Sequence, residues 1–452
     1  MSNQSAEQVR RAALSGFVGT WIEYFDFYIY GTLAALLFNE IFFDNLPPLI
    51  GTIAALATLA VGYLARFAGG AIFGHFGDRI GRKSVLLITL VMMGLSSGLI
   101  GILPTQTQIG LAAPLLLLLL RLIQGIAVGG EYGGAVLMTA EHASDRRRGL
   151  TTSLTLLGAP LGSLSATAAA LILTSTLTEE QLMSWGWRLP FLSSFILLAV
   201  GIYIRARLEE SPVFEAQEKA SVDVPRKLPV VELFRKHGRS LYAGIGLQIG
   251  GLTAQGIFAV FILSHLPTLG YTRSQVLTGV LVGTVLVTLS TPLWGLLSDR
   301  FGRKAICMFG SVSSLVLAFP MFWVVNLESP GLLIAACMVY FPLCMATITS
   351  VSPTLLSELF PTEMRYTGVS LSYQLAATIG PGLGPVIAAS LVAATGGNNY
   401  TVAGLLAVAG IISIVSLRFV PETRGSSLDS MKNTAEPAAG LESPGPEVSV
   451  AP

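Results

Sequence analysis

The stretch "LAAPLLLLLLRLIQGIAVGG", residues 111–130, runs twenty positions with a single charge. About 20 mostly apolar residues carry a helix across roughly 30 Å of hydrocarbon, so such a segment needs either lipid or a very large core. The same pattern recurs between polar breaks at 15–38, 49–74, 84–103, 112–140, 149–174, 188–207, 240–264, 275–298, 304–325, 331–357, 366–393 and 400–420. Single-domain cores stop growing near about 250–300 residues, and only 12% of this chain is charged against about 25% in soluble domains. The segments are apolar all round, which excludes the alternating strands of a membrane β-barrel. The expected fold is all-α, with twelve membrane helices.

Charge placement orients them. With both termini cytoplasmic, 23 of the 27 Lys and Arg residues fall on the inner side, Arg188 and Arg273 lie outside, and Arg66 and Arg121 lie within helices. That asymmetry follows the positive-inside rule, and shifting the frame by one helix destroys it. The start, "MSNQSAEQVRRAALSG", has no cleavage site after a short apolar core and does not read as a secretory signal. Cys307, Cys337 and Cys344 match no metal spacing, so neither disulfide nor zinc is expected, and nothing calls for a cofactor.

A charged decapeptide is written twice, "GHFGDRIGRK" from Gly74 and "GLLSDRFGRK" from Gly295, 221 positions apart. Asp78, Arg79 and Arg82 thereby correspond to Asp299, Arg300 and Arg303. A second echo pairs Glu141 and Arg148 with Glu358 and Arg365, shifted by 217. The chain therefore divides into a terminus at 1–14, a six-helix bundle at 15–207, a charged linker at 208–239, a second bundle at 240–420 and a disordered tail at 421–452, rich in Pro, Gly, Ser and Glu. Within the linker, Val230, Val231, Leu233 and Phe234 suit a helix lying on the inner leaflet. Each decapeptide reads as the tight cytoplasmic turn between the second and third helices of a half. Parallel halves of this kind are a transporter architecture, with the substrate site between them near the midplane. "LGAPLGS" at 157–163 and "IGPGLGP" at 379–385 occupy equivalent helices, where kinks and close approach are expected.

Five charges remain inside helices, all in the first half: Glu23, Asp26, Arg66, Arg121 and Glu131. Each costs about 2.5–3.5 kcal/mol at mid-membrane even on a lenient scale, so function is the default reading. Helix depth at about 1.5 Å per residue suggests two pairings, Asp26 with Arg121 and Glu131 with Arg66, with Glu23 competing for either arginine. An acid that alternates between an arginine and an open cavity changes its proton affinity with conformation. Asp26, Glu23, Arg121 and Glu131 are thus the proton-coupling candidates, and a static ion-pair lattice is the alternative. Candidate substrate contacts are Arg66, Arg121, Tyr30, Gln248, Gln255, Tyr373 and Gln374. "GDRIGRKS" only mimics a nucleotide-binding loop, since Arg82 stands where glycine must precede lysine; an ATP-driven pump is excluded.

The two decapeptides and "RLIQG" at 121–125 resemble signatures of the major facilitator superfamily. "EYFDFYIYG" at 23–31, "RLIQGIAVGGEYGGA" at 121–135, "SWGWRLPF" at 184–191 and "LEESPVF" at 208–214 look like its metabolite:proton symporter family, which includes shikimate, α-ketoglutarate, citrate and proline/betaine carriers. "LFPTEMRYTGVSLSYQ" at 359–374 and "LTEEQLMSWGWR" at 177–188 look closest to the shikimate-like branch. The tail lacks the heptads of the osmosensory branch. The resemblance implies that Asp78, Arg82, Asp299 and Arg303 form a cytoplasmic latch steadying the outward-open state. It implies that Arg121 serves proton coupling and that Asp26 faces it. The expected activity is uptake of a small organic metabolite, a carboxylate, with protons; efflux by antiport, zwitterion symport and a non-transporting receptor are the rivals. Expected partners are the small-molecule substrate, protons and membrane lipids, with no nucleic acid, for a monomer in the inner membrane. The gate candidates are Gly74, Asp78, Arg79, Arg82, Gly295, Asp299, Arg300, Arg303, Glu141, Arg148, Glu358 and Arg365.

Overall fold

The computed structural model describes residues 3–80, 82–129, 136–137, 140, 146–206, 229–360 and 365–425; side chains are described for these except 3–16, 71, 74–80, 82–86, 155, 204–206, 229–232 and 366. Helix α1 spans Asn3–Leu36, α2 Pro48–Ile80, α3 Arg82–Ile102 and α4 Ala112–Gly129. α5 covers Arg148–Thr176 and α6 Arg188–Ala206. In the second half, α7 covers Leu233–Leu269, α8 Arg273–Phe301, α9 Arg303–Val325, α10 Pro330–Ser357, α11 Thr367–Ala394 and α12 Tyr400–Arg418. Ten stretches among the described residues are long and apolar enough to cross a membrane; α1, which carries Glu23 and Asp26, and the shorter α3 complete the twelve. Helices are the expected solution, because lipid offers the backbone no partners and each helix satisfies its own. The result is an all-α membrane protein of two six-helix bundles.

Several helix ends depart from the expected spans: α1 already begins at Asn3, inside the expected terminus, and α2 runs on to Ile80, six residues past the expected 74. The helical run into α7 begins at Pro229, inside the expected linker, and breaks at His237 (φ −123°, ψ 22°). Leu233 on this arm is buried while Phe234 is exposed. After α12 the described chain continues to residue 425, and the buried Thr423 packs the segment at 421–425, expected in the tail, against the folded body.

The second decapeptide turn is as tight as its glycines imply. α8 ends at Phe301 and α9 begins at Arg303, with Gly302 alone between them at φ 106°, ψ 150°, a conformation that side chains resist. We call the side of the molecule carrying this turn the basic face.

Glycine also sets how closely helices approach. A Cβ on Gly69, Gly125 or Gly129 would run into the carbonyl oxygen of Ile126, Gly62 or Arg66 respectively, so α2 and α4 touch backbone to backbone. Gly158 and Gly162 seat α5 on α1, and Gly380 seats α11 on α7, the equivalent contacts of the two halves. Proline leaves its own mark: Thr378–Leu383, containing Pro381, and Phe341–Ala346, containing Pro342, are π-helical turns inside α11 and α10.

Aromatic packing closes the far end of the first half. Trp187 stacks edge-on to Phe38, Phe42 and Phe191. Arg188 donates to the carbonyls of Gly101 (3.1 Å) and Leu103 (2.6 Å), satisfying the end of α3. This is the structural content of "SWGWRLPF".

Candidate functional site

A cavity lies between the halves, walled by Tyr24 and Tyr28 of α1, Ser163 of α5, Gln248 and Gln255 of α7, Thr284 and Thr291 of α8, Thr349 and Ser352 of α10, and Tyr373 of α11. Its volume is about 70 Å³, room for about two waters at roughly 30 Å³ each and far below the roughly 300 Å³ at which ligand pockets begin. The space between the halves is therefore narrow in this structure. Across the wall, the Tyr24 and Tyr373 hydroxyls meet at 2.5 Å, joining α1 to α11. Gln248 donates to the Gly244 carbonyl (3.0 Å) and accepts from Ser352 (3.4 Å). Of the predicted substrate contacts, Gln248, Gln255 and Tyr373 line this cavity; Tyr30, Arg66, Arg121 and Gln374 do not.

Arg66 of α2 is buried and lies outside the cavity wall. Its guanidinium carbon lies 3.8 Å from the ring centre of Phe27 and 4.5 Å from that of Tyr63, within electrostatic reach of Tyr28 and Tyr373. Glu23 of α1 is also buried. Thr378 of α11 donates to the Tyr63 carbonyl at 3.0 Å, tying the second half to α2. Gln374, one turn earlier on α11, is buried with neither amide atom hydrogen-bonded among the described residues.

Asp26 and Arg121 are brought into the same bundle but not into the expected ion pair. Asp26 Oδ1 accepts from Ser194 of α6 at 2.5 Å, and Oδ2 has no hydrogen-bond partner among the described residues. Arg121 Nη1 donates instead to Gln124, whose amide donates to Ser97 of α3 at 2.7 Å. The Arg121 guanidinium is held between the rings of Phe27 (4.4 Å) and Tyr30 (3.9 Å). A Cβ on Gly62 would press on Nη2 at 2.7 Å, so the glycine makes room for it. Tyr30 is thereby a packing partner of Arg121, its hydroxyl 2.5 Å from Thr58. Asp26 and Arg121 are both fully buried (0% exposed) and neither lines the cavity, contrary to the expectation that these charges face a central opening. Glu131, the expected partner of Arg66, lies outside the described residues.

On the basic face the halves are joined by a buried lattice. Asp299 of α8 accepts from the backbone N–H groups of Gly149 and Leu150, both at 3.0 Å, capping the start of α5 across the interface. Arg303 donates to Asp299 at 2.7 Å and lies 3.5 Å from Glu358, and Arg148 donates to Glu358 at 2.9 Å. Gly295 is a close-approach glycine: a Cβ there would sit 2.8 Å from the Gly149 carbonyl oxygen. Arg300 takes no part in this lattice and points at the Phe301 ring, 5.4 Å away. Arg365 donates to the Phe360 carbonyl at 3.2 Å, within its own half. Glu141 and the side chains of Asp78, Arg79 and Arg82 lie outside those described, as does any contact of Gly74.

Residues the sequence reading passed over complete these sites. Glu422 accepts from the backbone N–H groups of Arg303 (2.8 Å) and Lys304 (3.1 Å), and Thr423 donates to Glu358 at 2.5 Å. Their only signal was an acid placed directly after the last apolar span. Ser97 and Ser194 had none, since single serines are ordinary in membrane helices.

The opposite face is closed more lightly. Arg273, the first residue of α8, reaches Glu179 at 2.5 Å and Glu40 at 3.6 Å in the first half, all three side chains partly exposed. Beside them is a cleft of about 370 Å³ lined by Thr174, Glu179, Thr272 and Ser274.

Comparison with known proteins places this geometry. The sequence profile of the Major Facilitator Superfamily matches residues 16–373. The chain is 38% identical over 427 residues to the shikimate transporter of Escherichia coli, covering 93% of this chain and 96% of that one. It is 39% identical over 429 residues to the inner membrane metabolite transport protein YhjE of the same organism, covering 92% and 95%. With the E. coli proline/betaine transporter it shares 33% over 447 residues, covering 96% and 86%. The proton:xylose symporter XylE bound to 6-bromo-6-deoxy-D-glucose superposes with a TM-score of 0.75 at 19% identity, covering 95% of this chain and 100% of that one, a likeness of fold. The two six-helix bundles, the cavity between them and these relatives together identify the chain as a transporter of the Major Facilitator Superfamily.

Proposed function

We propose that this transporter takes up a small organic carboxylate together with protons by alternating access, with its basic face and both termini in the cytoplasm. The observation that carries the reading is a cavity wall of hydroxyls and amides contributed by both halves, with the buried cation of Arg66 held in the first half over the rings of Phe27 and Tyr63. The neutral groups suit a hydroxylated metabolite, and a buried cation in the same half gives an anion its attraction. The shikimate and metabolite carriers among the relatives support this substrate class. Glu23, buried in the same half, favours a second reading, a zwitterion such as the proline or betaine named for other relatives.

Asp26 supplies the coupling in this proposal. A buried carboxylate with one oxygen unpartnered is costly, and taking up a proton removes the charge. Since Asp26 is fully buried in this structure, proton exchange belongs to the open states of the cycle. The basic-face lattice of Asp299, Arg303, Glu358 and Arg148, with Asp78, Arg82 and Glu141 as counterparts, is the inner gate; Arg273 with Glu40 and Glu179 closes the outer side. The protein is proposed to work as a monomer in the inner membrane.

Uptake into proteoliposomes under an imposed pH gradient tests this. Shikimate, α-ketoglutarate, proline and glycine betaine are offered separately, with the outside acid. Accumulation of an acid supports carboxylate symport, accumulation of a betaine the zwitterion reading. Expulsion from preloaded vesicles means antiport, and binding without flux means a receptor.

A further inference from the structure

Asp26 and Arg121 present complementary, half-used valences that do not meet. The carboxyl has one oxygen engaged and one open; the guanidinium has Nε and Nη2 without hydrogen bonds among the described residues. Both are fully buried and within electrostatic reach of each other. An unmade polar interaction in such surroundings costs about 1–3 kcal/mol, so something must hold the pair apart. On the Asp26 side the holder is Ser194, whose hydroxyl donates to Oδ1 at 2.5 Å from a different helix, α6, with the Ser97 hydroxyl of α3 also close to the carboxyl. On the Arg121 side it is Gln124, itself held by Ser97.

We infer that Ser194 is a positioning residue that parks the Asp26 carboxyl away from Arg121 in this state. The inference rests on the proposal that Asp26 carries the transported proton. It also assigns the oxygens: with the serine hydroxyl donating to Oδ1, the proton resides on Oδ2, and Oδ1 is the carbonyl oxygen of the acid. A static packing role for Ser194 would depend on its size and not on its hydroxyl.

Infrared difference spectroscopy on the full chain in lipid, acid buffer minus alkaline buffer, separates these cases and needs no substrate. The carbonyl stretch of a protonated carboxyl falls in frequency when its oxygen accepts a hydrogen bond. Asp26→Asn is expected to remove one band, which marks Asp26. In Ser194→Ala that band is expected to move to higher frequency, and in Ser194→Thr, which keeps the hydroxyl, to return toward its original position. Ser194→Cys, a weak donor of similar shape, is expected to shift it as alanine does and serves if the alanine variant does not fold. If Asp26→Asn removes no band, Asp26 does not exchange a proton, and the coupling proposal falls together with this one. If the band exists but stays unmoved in both Ser194→Ala and Ser194→Cys, the role of Ser194 falls while proton coupling through Asp26 stands.

Discussion

Arg148 at the start of α5 donates to Glu358 at the end of α10 at 2.9 Å, and both side chains are nearly inaccessible (2% and 0% exposed). Buried ion pairs hold only when their remaining hydrogen-bonding capacity is filled. Here Thr423 donates to the other Glu358 oxygen, and Arg303 stands 3.5 Å from it. Glu358 is the shared centre of the contact, with one arginine from each half and a hydroxyl from beyond α12. Opening the basic face requires it to part from Arg148.

Glu358→Gln is therefore expected to loosen this face. Losing one member of a buried pair costs about 3–5 kcal/mol, and a charge-neutral amide removes the Glu358 charge from beside Arg148 and Arg303. The check is labelling of a cysteine placed at Ser352, on the cavity wall, by a reagent applied from the basic face. Labelling is expected to rise at least several-fold; an unchanged rate would show that the lattice does not hold the gate.

The α2–α4 contact is expected to tolerate no side chain. A Cβ on Gly125 meets the Gly62 backbone and comes within 2.8 Å of Ala65, and backbone cannot yield. Gly125→Ala is expected to destabilise by at least the roughly 1–3 kcal/mol of overpacking, seen as a lower unfolding temperature in detergent. Gly404→Ala, where nothing lies within 4 Å, is the control, expected to be neutral or slightly stabilising. Equal effects at the two sites would contradict the close approach.

The opposite face is expected to respond to salt. Arg273 and its two glutamates are partly exposed, and such pairs contribute about 0–1 kcal/mol. Arg273→Gln should leave thermal stability unchanged while raising labelling of a Thr284→Cys probe from that side by up to about fivefold, the equivalent of about 1 kcal/mol. Added salt should raise labelling in the parent, because screening weakens exposed pairs, and have little effect in the variant. A salt response that survives the substitution would place the closure elsewhere.

Arg66 is expected to discriminate by ligand charge. Loss of a charged interaction costs about 1.5–3 kcal/mol, so Arg66→Gln should weaken binding of the carboxylate that the transport screen identifies by about 10- to 150-fold. An uncharged ester of the same compound should bind the variant and the parent alike. Calorimetry on purified protein measures both, and equal losses for acid and ester would show that Arg66 acts through packing.

Much of this molecule was readable from residue order alone. Twelve apolar spans, the even helix count and the doubled decapeptide follow from the cost of putting charge and unpaired backbone into lipid, and that cost is local to each segment. Gly302, alone between α8 and α9 with positive φ, is the same kind of local requirement. The buried acids and arginines were legible because a charge among apolar residues stands out at any spacing.

What those charges touch was decided only by the packing of helices against one another. Asp26 and Arg121 were expected to pair, yet Ser194 engages one and Gln124 the other. That outcome depends on how α1, α4 and α6 rotate about their axes, which no single helix specifies. The placement of Glu422 and Thr423 on the inner gate and the narrowness of the cavity are likewise properties of two bundles pressed together. Hydropathy sets depth along a span, but partnership across spans is set by side-chain shape and by which backbones glycine lets meet.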